Sequence, residues 1–233
     1  MEAIASGKQP DKIFIQRGLR GDTHRELLDM LKQRGLPFQF VPIEKLNRIT
    51  RKNHQGVVAF LTEIEYQRVE DILPGLFERG EEPLFVALDR VTDVRNFGAI
   101  ARSAECLGAH AIIIPDRGAA PASADAVKSS AGALLRIPVC RESQLKNSLR
   151  YLQQSGLKLI AASEKGQRSL HDSSLIGPAC LIMGSEEDGV SDDILKFADE
   201  LCAIPMKGHT ASLNVSVSAG IFLAEINRQR QSS

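Results

Sequence analysis

The sequence predicts an α/β protein, with a small α/β module first and then a larger parallel sheet covered by helices on both faces. Three observations carry that prediction. From Leu84 onward, short unbroken apolar runs recur at strand length, as in buried parallel strands. Helical patterns fill the intervals between them. The 233 residues are 43% hydrophobic and 25% charged, enough apolar content to bury a core, which excludes collagen-like, disordered and coiled-coil chains.

In the first module, Ile13-Phe14-Ile15 reads as a short strand. Asp22-Thr23 opens a helix through Leu27, Leu28 and Leu31, and Gly35 ends it. Phe38–Val41 alternates like a strand, Pro42 leads into a short helix over Glu44–Ile49, and Gly56–Leu61 is an apolar run of strand length. Met1–Ser6 reads as the tail of a helix whose start is missing. The polar, acidic stretch Thr62–Pro83 holds Pro74, Gly75, Gly80 and Pro83 and predicts a linker. The expected domains are therefore 1–61, a linker at 62–83, and 84–233.

Beyond the linker, strands are predicted at Leu84–Leu88, Ala111–Ile114, Ile137–Cys140, Lys158–Ala162, Cys180–Met183 and Leu201–Ile204. Helices are predicted at Gly98–Leu107, Ala124–Leu134, Glu142–Ser155, Ser191–Phe197 and Leu213–Arg230. There is no internal repeat and no low-complexity tract.

Several function classes drop out. No apolar run approaches the roughly 18 residues of a membrane helix, and Met1–Ile4 carries an acid where a secretory signal would be apolar or basic. Cys106, Cys140, Cys180 and Cys202 form no CxxC pair, so a zinc ribbon, a thioredoxin motif and a disulfide scaffold are not indicated, and the expected compartment is a reducing cytoplasm. The five histidines show no metal-ligand spacing, so no metal is expected. GxGxxG after a strand, GxxxxGK[ST], HExxH and GxSxG are all absent.

Formal net charge is zero but unevenly spread. Residues 8–52 hold eleven bases and five acids, a net +6. A basic block on a neutral chain suggests a polyanion-facing module, although a solvated helix face with surplus Lys and Arg gives the same count.

Three segments carry candidate chemistry. Leu88–Ala104 runs from a strand into a helix, where Asn96 reads as a cap and Arg102 lies about two turns further in. In Leu181–Val190 a strand ends at Gly184 and a carboxylate-rich loop follows; the glycine leaves room for a ligand at the strand's C-terminal end, where open parallel sheets bind ligands. In Ala203–Ser216 a strand ends in a Pro/Gly loop with clustered hydroxyl and amide groups before the last helix. Alone, each admits a plain reading as a cap, an acidic turn or a connection.

Together, in their order and spacing, the stretches NFGAIARSA, LIMGSEEDGV and IPMKGHTASLNVSVSAG resemble the three motifs of the TrmH/SpoU family of RNA ribose 2′-O-methyltransferases, within the SPOUT superfamily. The resemblance covers about residues 84–230. The leading region is similar to the family's ribosomal-protein-like substrate-binding domain. Its Asn53–Ala59 segment is similar to the subgroup that methylates a guanosine ribose of 23S rRNA, with the domain's first strand missing.

The resemblance implies a deep trefoil knot, an exception to the usual absence of knots. It also implies S-adenosylmethionine as cofactor, RNA as substrate and a homodimer formed through the knotted domain. Gly184, Ile204, Met206 and Leu213 correspond to the cofactor pocket, and Asn96, Arg102, Glu186, Ser212 and Asn214 to the polar active-site positions. Arg102 is the residue expected to matter most in catalysis, as a clamp on phosphate and developing alkoxide, with Glu186 orienting either Arg102 or an Asn side chain. Ser212 and Asn214 are expected to hold the knot loop. Lys45, Arg48, Arg51, Lys52 and His54 are the expected RNA contacts of the small domain. A tRNA or other rRNA substrate, and a non-catalytic RNA-binding or assembly protein on the same fold, are the competing readings.

Overall fold

A computed structural model describes residues 10–36, 38–61, 64–164, 166, 168–210 and 212–232. The helix tail expected at Met1–Ser6 and the question of a missing first strand lie outside them. The chain divides into two compact units, residues 1–63 with 121–124, and residues 64–120 with 125–233.

The small unit holds β1 (Pro10–Gln16), α1 (Asp22–Gln33), β2 (Phe38–Val41), α2 (Ile43–Ile49) and β3 (Val57–Leu61). Its sheet runs β2-β1-β3, with β2 parallel and β3 antiparallel to the central strand. Alternation along β1 sends Ile13 and Ile15 to one face, where Leu27 and Leu31 of α1 meet them in a small core. Gly35 follows α1 with φ +62°, a conformation that glycine adopts without steric cost.

The large unit is an eight-stranded sheet in the order β4-β7-β6-β5-β10-β8-β11-β9. Its strands are β4 (Tyr66–Gln67), β5 (Leu84–Leu88), β6 (Ala111–Pro115), β7 (Val139–Glu142), β8 (Lys158–Ala162), β9 (Arg168–Ser169), β10 (Ala179–Met183) and β11 (Glu200–Ala203). Every pairing is parallel. β5 and β10 are buried along their whole length, as the unbroken apolar runs require. The helices are α3 (Val69–Glu78), α4 (Val94–Cys106), α5 (Ala124–Ser129), α6 (Leu145–Gln154), α7 (Asp192–Leu195) and α8 (Val215–Gln231).

The linker expectation is overturned. Within 62–83, β4 extends the large sheet beside β7, and α3 buries Val69, Leu73 and Leu76 in the main core. Pro74 sits inside α3. An interior proline costs about 3 kcal/mol, while each buried Val or Leu returns about 1.5–3 kcal/mol, so three buried side chains outweigh one breaker. The helix expected over Ala124–Leu134 is also shorter: α5 ends at Ser129 and a separate 3-10 turn covers Ala133–Leu135.

Sheet order positions the site. From β5 the chain moves outward one way to β6 and β7, and β8 lies on the other side of β10. The order therefore switches between β5 and β10, whose C-terminal ends lie side by side, with the Asp89 N–H bonded to the Met183 carbonyl at 2.8 Å. A crevice at such a switch point is where open parallel sheets bind ligands. At the opposite flank, β11 lies between β8 and β9, with Cys202 level with both Ala162 and Arg168. Gly166, between β8 and β9 in the chain, lies against the Leu201–Cys202 backbone of β11. A Cβ on Gly166 would stand 2.7 Å from the Leu201 carbonyl oxygen, a separation only glycine permits.

Candidate functional site

A cleft of about 710 Å³ opens at the C-terminal ends of β8, β10 and β11, beneath the start of α8. Gly184, Glu186, Ile204, Met206, Ser212, Leu213 and Asn214 all line it, so seven of the nine residues expected at the catalytic centre and cofactor pocket share one wall. Met183, Val215 and Phe222 add apolar surface, and Glu164, Glu187 and Asp188 add carboxylates. A smaller hollow of about 250 Å³ lies against the same Ser185–Asp188 loop and is lined also by Arg90, Val91, Thr92, Asp93 and Asn96.

Three chain segments converge at the lip of these hollows. The Asn96 amide donates to Glu186 Oε1 at 2.5 Å. The Asn214 amide donates to the same oxygen at 2.9 Å and to Asn96 Oδ1 at 3.1 Å. Asn214 Oδ1 accepts from the Ser216 N–H at 2.9 Å, which makes Asn214 the N-cap of α8. One side chain thus caps a helix and ties it to α4 and to the loop after β10. Between the two partners expected for Glu186, the geometry selects the asparagines.

Asn96 is not the cap of its helix. Asp93 is: its Oδ1 accepts from the Arg95 and Asn96 N–H groups, both at 2.8 Å. α4 therefore starts at Val94, four residues earlier than the pattern predicted, and Asn96 has its amide free for Glu186. Gly98, two residues on, is explained by packing. A Cβ there would stand 2.0 Å from Ser129 Oγ, so glycine lets α4 lie against α5.

Gly184 lines the cleft for a different reason from the one expected. A Cβ there would stand 1.9 Å from the Gly189 carbonyl carbon and 2.0 Å from the Val190 nitrogen. The space is taken by the chain's own backbone, because Ser185 and Gly189 exchange backbone hydrogen bonds at 3.0 and 3.1 Å and close the loop tightly. Gly184 is what allows the Glu186 loop to fold back on β10.

Sequence reasoning missed Arg90. It adopts φ +62°, unusual for a residue with a side chain. Its guanidinium reaches Asp188 Oδ2 at 2.9 Å and the Gly189 carbonyl at 3.1 Å, while Asp89, buried beside it, accepts from the Ser191 N–H at 2.7 Å. Together they hold both ends of the carboxylate loop. No periodicity marks a left-handed arginine, and the strand-end position alone was its signal.

Arg102 stands apart. Six residues after Asn96 it is rotated about 240° around α4, is exposed, and lines neither hollow. Among the described residues its side chain makes no hydrogen bond or ion pair.

In the small unit, Lys45, Arg48, Arg51 and Lys52 are exposed. Lys45 Nζ sits 4.7 Å above the Phe14 ring, a cation–π contact. His54 is occupied: its Nδ1 accepts from the Gly56 N–H at 3.0 Å, so Nε2 carries the proton and donates to Asn47 Oδ1 at 2.9 Å. That ring fastens the turn after α2.

Among the described residues no group of His, Cys, Asp and Glu is arranged to hold a metal ion, and no helix is long and apolar enough to cross a membrane. The four cysteines are unpaired, and burial pushes the Cys140 thiol up to about 12 and the Cys180 thiol up as well.

The fold and these motifs have clear relatives. The SpoU rRNA Methylase family matches over residues 83–224, and a family described as RNA 2'-O ribose methyltransferase substrate binding matches over residues 1–67. A Bacillus subtilis protein named as a TrmH family tRNA/rRNA methyltransferase, YacO, is 31% identical over 230 residues, 99% of this chain and 92% of that protein. A Mycobacterium ulcerans protein named as an uncharacterized tRNA/rRNA methyltransferase is 34% identical over 99% of this chain and 75% of its own length. Among solved structures, the AdoMet-bound rRNA methyltransferase of Sinorhizobium meliloti superposes with a TM-score of 0.64 at 27% identity, covering 97% of this chain and 83% of that one. The SpoU methyltransferase AviRb of Streptomyces viridochromogenes, in complex with AdoMet, gives 0.65 at 28% identity over 99% and 87%. With more than half of its length matched by the catalytic family and the three motifs gathered at one cleft, the chain belongs to the SpoU rRNA Methylase family.

Proposed function

We propose that this protein transfers a methyl group from S-adenosylmethionine to a ribose 2′-hydroxyl of structured RNA, with a guanosine of 23S rRNA as the substrate. The single observation that carries the reading is the meeting of Asn96, Glu186 and Asn214, from three distant segments, at the lip of the cleft. The cleft suits the cofactor. Its volume of about 710 Å³ is in the range that holds small-molecule ligands. Apolar walls from Met183, Ile204 and Leu213 suit an adenine, and the carboxylates Glu164 and Glu187 suit a ligand with cationic groups. S-adenosylmethionine supplies a methyl group already made electrophilic by its sulfonium.

What remains for the chain is alignment, charge and exclusion of water. Glu186 holds the two amides in a fixed orientation, leaving its second oxygen and the remaining Asn96 amide hydrogen to meet sugar hydroxyls. Arg102 stays protonated under ordinary conditions, so it acts as a clamp on the target phosphate and on the developing alkoxide. Because Arg102 faces away from its own cleft, the reading includes a homodimer in which α4 of each copy borders the other's site. The deep trefoil knot belongs to the same reading. It is supported by the close approach of Gly166, between β8 and β9 in the chain, to the Leu201–Cys202 backbone of β11. The assigned compartment is a reducing cytoplasm, in keeping with four unpaired cysteines.

The test uses radiolabelled S-adenosylmethionine with deproteinised rRNA and bulk tRNA from a strain deleted for this gene. Label should enter 23S rRNA, and the modified linkage should resist alkali, because alkaline cleavage needs a free 2′-hydroxyl. Label confined to tRNA would move the substrate, and an alkali-labile product would place the methyl on a base.

A further inference from the structure

The small unit has an aromatic feature that its core does not require. Among the described residues β2 is an edge strand, and Phe40 near its end is 42% exposed. Ile43, the first residue of α2, is 40% exposed. Yet the Phe40 ring is braced. Phe38 meets it edge-on with centroids 5.6 Å apart and planes at 86°, and the His24 ring lies 6.5 Å away at 63°. Phe38 in turn packs against the Ile13–Leu31 core. A ring fixed on its inner side and open on its outer side is a platform.

Basic residues surround that end of the sheet. β1 and β2 run parallel, so both end there, and the Arg17 N–H bonds the Val41 carbonyl at 2.9 Å, placing Arg17 directly beside the platform strand. Arg25 neighbours His24 on α1, and both arginines are exposed. They belong to the 8–52 block with its net +6. A second copy of this unit would present the same positive charge, whereas a polyanion complements it.

We propose that Phe40, braced by Phe38 and His24, is a stacking platform for one unpaired nucleobase of the substrate RNA, with Arg17 and Arg25 meeting the adjoining phosphates. The proposal rests on the RNA-methylating function above and adds the subsite that reads single-stranded character. Proteins recognise RNA sequence mainly at splayed bases stacked on aromatic rings. Stacking is nearly independent of salt, whereas phosphate contacts release counterions and are not. The two contributions therefore separate in one titration.

The chain contains no tryptophan, so Phe40→Trp installs a sole indole at the platform. Binding is measured with deproteinised rRNA and bulk tRNA from a strain deleted for this gene, over a range of salt. Phe40→Ala should weaken binding by roughly 5- to 150-fold without changing the slope of log affinity against log salt. Phe40→Trp should keep wild-type affinity and show emission quenched on saturation with RNA. Arg17→Gln with Arg25→Gln should flatten the slope by up to about two contacts. Cofactor binding by calorimetry should stay at its wild-type value in all three variants, since the cleft lies in the other unit, and each variant should keep a cooperative unfolding transition above the temperature of the binding assay. Wild-type affinity in Phe40→Ala, or unquenched emission at saturation, overturns the proposal while methylation of the same RNA by the wild type leaves the function standing. Emission that shifts with protein concentration before RNA is added marks a contact between copies and also overturns it. Failure of the wild type to bind or methylate either RNA overturns the function itself.

Discussion

Replacing Asn214 separates its two jobs. Its Oδ1 caps α8, and its amide nitrogen bridges Glu186 and Asn96. Asn214→Ala removes both, at about 1 kcal/mol for the cap. Asn214→Ser keeps an acceptor for the Ser216 N–H and loses only the bridge. Asn214→Asp keeps the strongest cap but sets a second carboxylate oxygen where the amide nitrogen now lies, 2.9 Å from Glu186 Oε1. Two unit charges at that distance repel by about 1.4 kcal/mol in water and by about 6 kcal/mol at an effective dielectric near 20. Both side chains are exposed, which favours the lower figure, still about one unit of pKa. One proton is then shared by the pair at a pH above the usual carboxylate range. The expected outcome at about pH 7 is a loss of roughly 10- to 100-fold in kcat/KM for both Ser and Asp, the worth of a hydrogen bond to a charged group. Only the Asp variant should recover as pH falls towards about 5, where the shared proton restores a donor. Methyl transfer to rRNA across that range, beside thermal unfolding of each variant, makes the measurement. If Ser and Asp both keep wild-type kcat/KM at neutral pH while Ala loses stability alone, Asn214 is a helix cap and nothing more.

Gly184→Ala should fail through the chain rather than through the ligand. Its Cβ would meet the Gly189–Val190 backbone at about 2 Å, so the loop must open, and both the unfolding midpoint and cofactor affinity should drop together; a stable variant with normal affinity would disprove the close approach. Mixing Arg102→Ala with Asn96→Ala subunits, each nearly inactive alone, should restore about a quarter of wild-type methyl transfer if each site borrows Arg102 from the other copy, since half the dimers then hold one intact site. No recovery, with subunit exchange confirmed, would return Arg102 to its own chain. Neutralising Arg48, Arg51 and Lys52 together should lower RNA affinity and flatten its salt slope by up to about three contacts, with cofactor binding untouched; an unchanged slope would make that block ordinary solvated surface.

Much of the fold was legible because buried parallel strands advertise themselves. Leu84–Leu88 is apolar at every position since both faces are covered, and β5 occupies those residues. The same rule hides what is short. β4 and β9 are two residues each, too brief for any period, and they exist only because a neighbouring strand offers a ladder. Residues 62–83 were misread as a linker because Pro74 and Gly75 are strong local punctuation, whereas the burial of Val69, Leu73 and Leu76 depends on a core assembled from elsewhere in the chain. Local signals lose where non-local burial is larger.

The site shows a sharper version of that asymmetry. Motif order could nominate Asn96, Glu186 and Asn214, separated by 90 and 28 residues, but only the fold shows one carboxylate oxygen serving both amides. The residues that make this possible carry no chemical signature. Asp93 takes over the cap and so frees Asn96. Gly184 yields its side-chain space so that the loop can turn, and Arg90 accepts a left-handed backbone to pin Asp188 and Gly189. Each gives up a local preference for a distant group. A sequence reader sees an acid, a glycine and an arginine at a strand end and assigns them to solvent or ligand. Their partners lie in the chain itself, and that internal commitment leaves Glu186 facing the cleft with one oxygen already spoken for and the other open to a substrate.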